Sequence, residues 1–301
     1  MTKAIDAYLA MRRATGFTLS TQEYLLRSFA RFAADRREAH IRFSTVIDWA
    51  SEAASVAQRH ARYQTVCRFA TYVRLEDDQH DCPPANYFGY RLTRRVPHIY
   101  SAVEIDLLIR AAGQLVPTDS LRPFSYAALI SLLAATGLRV SEALHLLMSD
   151  ITPNGLLIRK TKFQKTRLVP LHQTAVAGLR QYLAQRQKMH RGGEHVFVSN
   201  SGLPLAYWDV HRVFRKLLKS AELISLQGRV PHLHDFRHTF ATRALEASPA
   251  GRRRIGRHMV ALATYLGHVN IDATYWYLET TPELLSDIAA ASESFIDGGR
   301  R

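Results

Sequence analysis

The chain has 301 residues, 47% apolar and 22% charged, with 40 Lys plus Arg against 26 Asp plus Glu. That composition excludes a wholly disordered chain, and the sequence holds no run of about 18 uncharged apolar residues that could span a membrane. A formal charge of +14 points to a polyanionic partner, with nucleic acid ahead of an anionic membrane surface because no lipidation signal accompanies it.

The length favours two domains over one. The opening MTKAIDAYLAMRRATG has no apolar run before a cleavage-type site, so no secretory signal is expected. Cys67 and Cys82 are too few for a disulfide framework and read as thiols in a reducing compartment. The first 90 residues read as four helices. Ala4 to Ala14 carries Ile5, Tyr8, Leu9 and Met11 at helical spacing, and Thr21 to Ala34 carries Tyr24, Leu25, Phe29 and Phe32. Ser44 is the expected N-cap of a third helix with Val46, Ile47 and Trp49. A fourth runs from about Ala57 to Arg74, with Tyr63, Val66, Phe69, Ala70 and Val73 on one side. Together they predict a small helical bundle over 1–81.

Pro83, Pro84, Gly89 and Pro97 then break the periodicity, and residues 82–98 read as an interdomain linker. Its Arg91, Arg94 and Arg95 suit either a phosphate contact or a solvated tether. From Ser101 the pattern is mixed but mostly helical. Ser101 and Glu104 form a capping-box pattern. Tyr126 to Thr136 is apolar nearly all round and should be buried, ending at Gly137. GLLIRK (155–160) and TRLVPL (166–171) predict two short strands of a hairpin-like unit. Further helices are expected at about 174–189, 206–221, 234–247, 257–266 and 271–279. The predicted fold is mainly α with a small β-hairpin.

Five polar clusters stand in these apolar surroundings. In TGLRVSEAL, Arg139 leaves a buried helix and can hold a phosphate bidentately, or pair with Glu142 at i,i+3. In HLHDFRHTF, His234 and Arg237 share a helix face. His232, His234 and His238 suggest a metal, but ordered ligand spacing and a nearby cysteine are lacking, so no metal is expected. In LGHVNIDATYWY, Tyr275 and Tyr277 lie about 200° apart on a helix, so only one can share a site with His268. Lys162 and Lys165 occupy the hairpin turn. The run of Arg252, Arg253, Arg254 and Arg257 reads as a solvated face or a phosphate contact.

Taken in order, these clusters resemble the tyrosine recombinases, the family of phage integrases and Xer recombinases. TGLRVSEAL is similar to the first arginine box, KFQKTRLVPL to the hairpin, HDFRHTFAT to the His-x-x-Arg box, and LGHVNIDATYWY to the Leu-Gly-His box with a tyrosine nine positions on. The resemblance covers about 99–280. It implies a catalytic domain there, an N-terminal DNA-clamping domain over 1–81, and a C-terminal helix over 281–301. By the same resemblance Arg139 and Arg237 clamp the scissile phosphate, and His234 and His268 fill the two histidine places. Tyr277, not Tyr275, is the nucleophile, Lys162 the acid with Lys165 as runner-up, and Glu142 the support of the first arginine. The chemistry so implied is metal-free and ATP-free exchange of double-stranded DNA through a 3′-phosphotyrosyl link. It also implies a bacterial cytoplasmic enzyme that assembles, as a tetrameric synapse, through the C-terminal helix. Companion recombinases or accessory DNA-binding proteins could join it. The competing readings are a type IB topoisomerase and an inactive DNA-binding regulator. Two features depart from the family pattern: a long spacer at 243–265 that contains the arginine run, and Glu279 where a histidine is common.

Overall fold

The computed structural model describes residues 1–85, 87–89, 95–159, 166–189, 192–224, 230–247 and 252–267, with backbone alone for 252–256. It divides into two compact units, Met1–Arg95 and Val96–Arg301. No described helix is long and apolar enough to cross a membrane.

The first unit holds the four expected helices: α1 (Thr2–Ala14), α2 (Ser20–Asp35), α3 (Phe43–Ser51) and α4 (Val56–Val73). Ile5 and Leu9 of α1, Phe29 of α2, Trp49 of α3 and Phe69 of α4 share one core, with Phe29 and Trp49 edge to face at 5.4 Å. The buried stripe of α2 is Leu26, Phe29 and Ala33; Tyr24, expected on that face, points out and is 67% exposed. Ser44 does not cap α3. Arg42 is the N-cap residue, and the Asp81 carboxylate accepts the Phe43 N–H at 2.8 Å. A carboxylate brought from beyond α4 thus does the work expected of the local serine. Part of the segment at 82–98 also packs on this unit: Tyr63 Oη donates to Pro84 O at 2.7 Å, and Phe88 meets the Tyr63 ring edge-on.

One junction of this unit is expected to be acid-sensitive. Buried His80 accepts the Ile41 N–H at Nδ1 (3.0 Å), and its Nε2 faces Asp77 at 3.7 Å, which also takes His40 at 3.3 Å. Burial lowers the His80 pKa; Asp77 opposes this, while His40, the N-terminal amine and Arg42 add to it. Protonation would remove the Nδ1 lone pair and break the bond to Ile41. A histidine with a depressed folded pKa binds more protons when unfolded, so stability falls as pH drops below about 6.5 toward the folded value. The loss expected is at most the worth of that one hydrogen bond. Thermal melts from pH 7.5 to 5 should show it, and His80→Asn, which keeps an acceptor there, should flatten the profile. Equal slopes in the two proteins would refute the assignment.

In the second unit, α5 (Ala102–Gly113) starts at the expected capping box: Ser101 Oγ accepts the Glu104 N–H at 3.1 Å, and Glu104 accepts the Ser101 N–H at 2.7 Å. The apolar α6 (Leu121–Thr136) runs through the core, packed by α5, α8 (Gln173–Lys188) and α10 (Asp235–Glu246). A short α7 (Val140–Leu144) and a 3-10 turn (Met148–Asp150) lead into a three-stranded antiparallel sheet. Its order is β1 (Ile151–Thr152), β2 (Gly155–Ile158), β3 (Arg167–Val169), with Ile158 opposite Arg167. Two strands were expected; β1, two residues long, shows no alternation to read. After α9 (Tyr207–Ser220) and α10 comes α11 (Arg252–Leu266). This helix starts five residues before the expected 257, so the arginine run lies on its first turns rather than in a loop. The helices expected at 271–279 and from 281 lie outside the described residues.

Candidate active site

Gly137 ends α6 at φ +60°, and a Cβ there would meet the Phe240 ring at 2.7 Å. Glycine therefore allows both the left-handed turn and the close approach of α10. The turn delivers Arg139 to the start of α7. Its N–H donates to Glu142 Oε2 at 3.0 Å and its Nη1 to Oε1 at 2.8 Å, so backbone and side chain are held by one carboxylate a helical turn away. Arg139 remains 30% exposed. The i,i+3 pairing and an anion-binding role are thus not alternatives: the pair is what orients the guanidinium.

Glu142, 8% exposed, takes a second arginine. Arg167 of β3 donates Nη1 to Oε1 at 3.0 Å and Nη2 to Oε2 at 2.8 Å, and its Nε donates to Tyr265 O at 2.8 Å. Burial alone would raise the Glu142 pKa. The hydrogen bonds and charge of Arg167, with the backbone N–H and charge of Arg139, outweigh it and hold the group at about 2. Two cations around one carboxylate leave this corner net positive.

Arg237 sits in the first turn of α10 and is 1% exposed. Its Nη1 donates to Gly137 O at 3.0 Å and Nη2 to Leu266 O at 2.6 Å. It therefore joins the ends of α6 and α11. His234, the N-cap residue of α10, opens to solvent, yet it is hemmed in by protein. Desolvation lowers its pKa, the charges of Arg237 and Arg139 lower it further, and Asp235 and Glu142 oppose. A ring accessible to solute and neutral at pH 7 can accept a proton. The turn before α10 is fixed by Asp235, which accepts the His232 N–H at 2.7 Å. Tyr100 fixes it too: its Oη donates to His232 O at 3.0 Å, and its ring stacks on Phe236 at 4.5 Å.

Arg139, Glu142, His234 and Arg237 are thus brought to one place, and Arg167, absent from the sequence reading, stands among them. Its signal in the sequence is its place in TRLVPL, the end of the stretch that resembles the family hairpin, which gave it no role. Among the described residues no three His, Cys, Asp or Glu are gathered as metal ligands. Lys162, Lys165, Arg91, Arg94, His268, Tyr275 and Tyr277 lie outside the described residues, as do the side chains of Arg252, Arg253 and Arg254. Arg95 and Arg257 are exposed.

A model described as the phage integrase family matches residues 102–283. A Sinorhizobium fredii protein described as an integrase or recombinase, y4rB, is 35% identical, with 95% of this chain and 94% of that protein covered. Tyrosine recombinase XerD of Halalkalibacterium halodurans is 28% identical over 78% of this chain and 74% of its own. In fold, the chain is similar to the Tn1549 transposon integrase in complex with transposon end DNA. The TM-score is 0.66 at 18% identity, with 96% of this chain and 98% of that one covered.

Proposed function

This chain belongs to the phage integrase family and is a tyrosine recombinase, a DNA breaking and rejoining enzyme, and from that premise we propose how its residues carry out strand transfer. The observation that carries the proposal is the gathering of Arg139, Arg237 and neutral His234 around the ends of α6 and α11.

A phosphodiester repels an anionic nucleophile, and charge moves onto its non-bridging oxygens in the pentavalent state. Arg139 and Arg237 neutralise those oxygens from fixed positions, with His268 as a further donor. His234 takes the phenolic proton of Tyr277, whose free pKa of about 10 makes it a weak nucleophile unaided. The Tyr277 oxygen bonds to phosphorus while the bond to the 5′-oxygen breaks, and Lys162 gives that oxygen its proton. Lys165 is the runner-up for this role. The phosphotyrosyl bond keeps the linkage reactive, so a 5′-hydroxyl of another strand can reverse the step without ATP. Relatives named as recombinases at nearly full length support strand exchange over the topoisomerase and regulator readings.

Arg91, Arg94, Arg95 and Arg257 are DNA contacts in this reading, and so is the run Arg252, Arg253 and Arg254. Cations on the first turns of a helix oppose its dipole, so an anion there would relieve the repulsion. Leu284, Ile288, Ala291 and Phe295, on one face if helical, are proposed to dock on a second copy and build a synapse. A tetramer on a Holliday junction, known for lambda integrase, supports assembly of several copies on DNA.

The mechanism draws its charge from arginine and lysine. Phosphotyrosyl formation on a nicked suicide substrate is therefore expected to proceed in EDTA at the rate seen with Mg²⁺. Loss of cleavage in chelator, restored by Mg²⁺, would overturn it.

A further inference from the structure

We propose that Arg167 is a positioning residue for strand transfer: its guanidinium ties the carboxylate that orients Arg139 to the C-terminal turn of α11, from which His268 follows. The proposal rests on the active-site reading above and extends it to a residue that touches no reacting atom.

Three features of one side chain carry it. Arg167 meets both oxygens of Glu142, and shares Oε1 with Arg139. Its Nε, in the same plane, holds Tyr265 O at 2.8 Å. Its Nη1 and Cζ lie 2.8 and 3.2 Å from where a Cβ on Gly267 would stand, at φ +68°. The glycine before His268 therefore serves two ends: it permits the left-handed turn, and it lets that turn rest against the guanidinium. The side chain is 11% exposed, so these bonds are little screened.

The chemistry follows from the geometry. Arg167 keeps Glu142 ionised in a site where burial favours the neutral acid. It also takes a share of that negative charge, which leaves more of the Arg139 charge for the phosphate. It fixes the distance between the Glu142 carboxylate, which holds Arg139, and the α11 turn, because both accept from one rigid planar group. Lysine could not replace it, since one ammonium cannot bind a carboxylate at both oxygens and reach a third acceptor on the far side.

A buried ion pair that only holds the fold together is the rival explanation, and pH separates the two. Full-length wild type, Arg167→Gln, Arg167→Lys, Glu142→Gln, the Arg167→Gln/Glu142→Gln double variant and Tyr277→Phe are compared on the suicide substrate, at saturating protein and below each melting temperature. Arg167→Gln should bind DNA within about threefold of wild type, yet cleave about 100-fold more slowly, as a misplaced catalytic group does. Its rate relative to wild type should fall further from pH 7 to 5 as Glu142 gains a proton. With Gln at 142 that extra fall should vanish. Arg167→Lys, which keeps a buried cation and so protects the fold, should still be about tenfold slow. Overturning results are a wild-type cleavage rate in either Arg167 variant, or a pH-independent ratio for Arg167→Gln. Covalent DNA on Tyr277→Phe would instead sink the nucleophile assignment and leave the role of Arg167 standing.

Discussion

Tyr277→Phe is expected to reduce phosphotyrosyl formation to below detection while target-site affinity stays within about twofold, since a phenylalanine keeps the ring and removes only the oxygen proposed as nucleophile. On a helical register Tyr275, two positions away, would lie about 200° round from Tyr277 and so would not face the same phosphate. Tyr275→Phe should therefore cleave at a rate close to wild type. The two variants together test the register: cleavage by Tyr277→Phe and none by Tyr275→Phe would exchange the two assignments. Electrophoretic shift measures binding, and a denaturing gel of the suicide substrate measures the covalent product, so a folding defect would appear as a loss in both.

What the sequence made readable was local. The Arg139–Glu142 pair spans three residues, and the Ser101–Glu104 capping box also spans three; both stand as read. The turn at Gly137 follows from an apolar run that stops at a glycine. Contacts that depend on the tertiary fold left no local trace. Asp81 reaches back 38 residues to cap α3, and so a serine at position 44 looked like the cap. Arg167 meets Glu142 across 25 residues and Tyr265 across 98. Nothing in TRLVPL distinguishes an arginine aimed at a buried carboxylate from one aimed at water. The start of α11 was hidden for a different reason. Four arginines in six residues have no apolar periodicity, yet the backbone is helical from Arg252, in a helix whose later turns pack Met259, Leu262 and Leu266 on Ala241 and Leu245 of α10 and whose end is held. There Tyr265 O and Leu266 O accept hydrogen bonds from Arg167 and Arg237. The long spacer, a departure from the family pattern in sequence, thus reaches the site as the last turn of a regular helix.

That anchoring makes Arg237 the position where substitution should cost most after Tyr277. Arg237→Gln removes a fixed cation proposed to act on the transition state, and cleavage at saturating protein is expected to fall by about 10³-fold or more. It also disturbs two buried carbonyls, Gly137 O and Leu266 O. Leaving a buried acceptor unpaired costs about 1–3 kcal/mol, so the variant should melt earlier as well. Stability alone cannot explain the rate if both proteins are assayed well below their melting temperatures, and the pH profile gives a further separation. Desolvation lowers the His234 pKa, and the Arg237 charge lowers it more. Without that charge the imidazole protonates more readily. A base must be unprotonated to act, so the acidic limb of the cleavage profile should move to higher pH in Arg237→Gln. In Arg237→Lys the charge stays, and the limb should remain near its wild-type place even though the rate is low, because one ammonium cannot reach both carbonyls and the phosphate in the same geometry. A shared shift in Gln and Lys variants would mean that His234 responds to packing and not to the Arg237 charge. A wild-type rate in Arg237→Gln would remove this arginine from the transition state altogether.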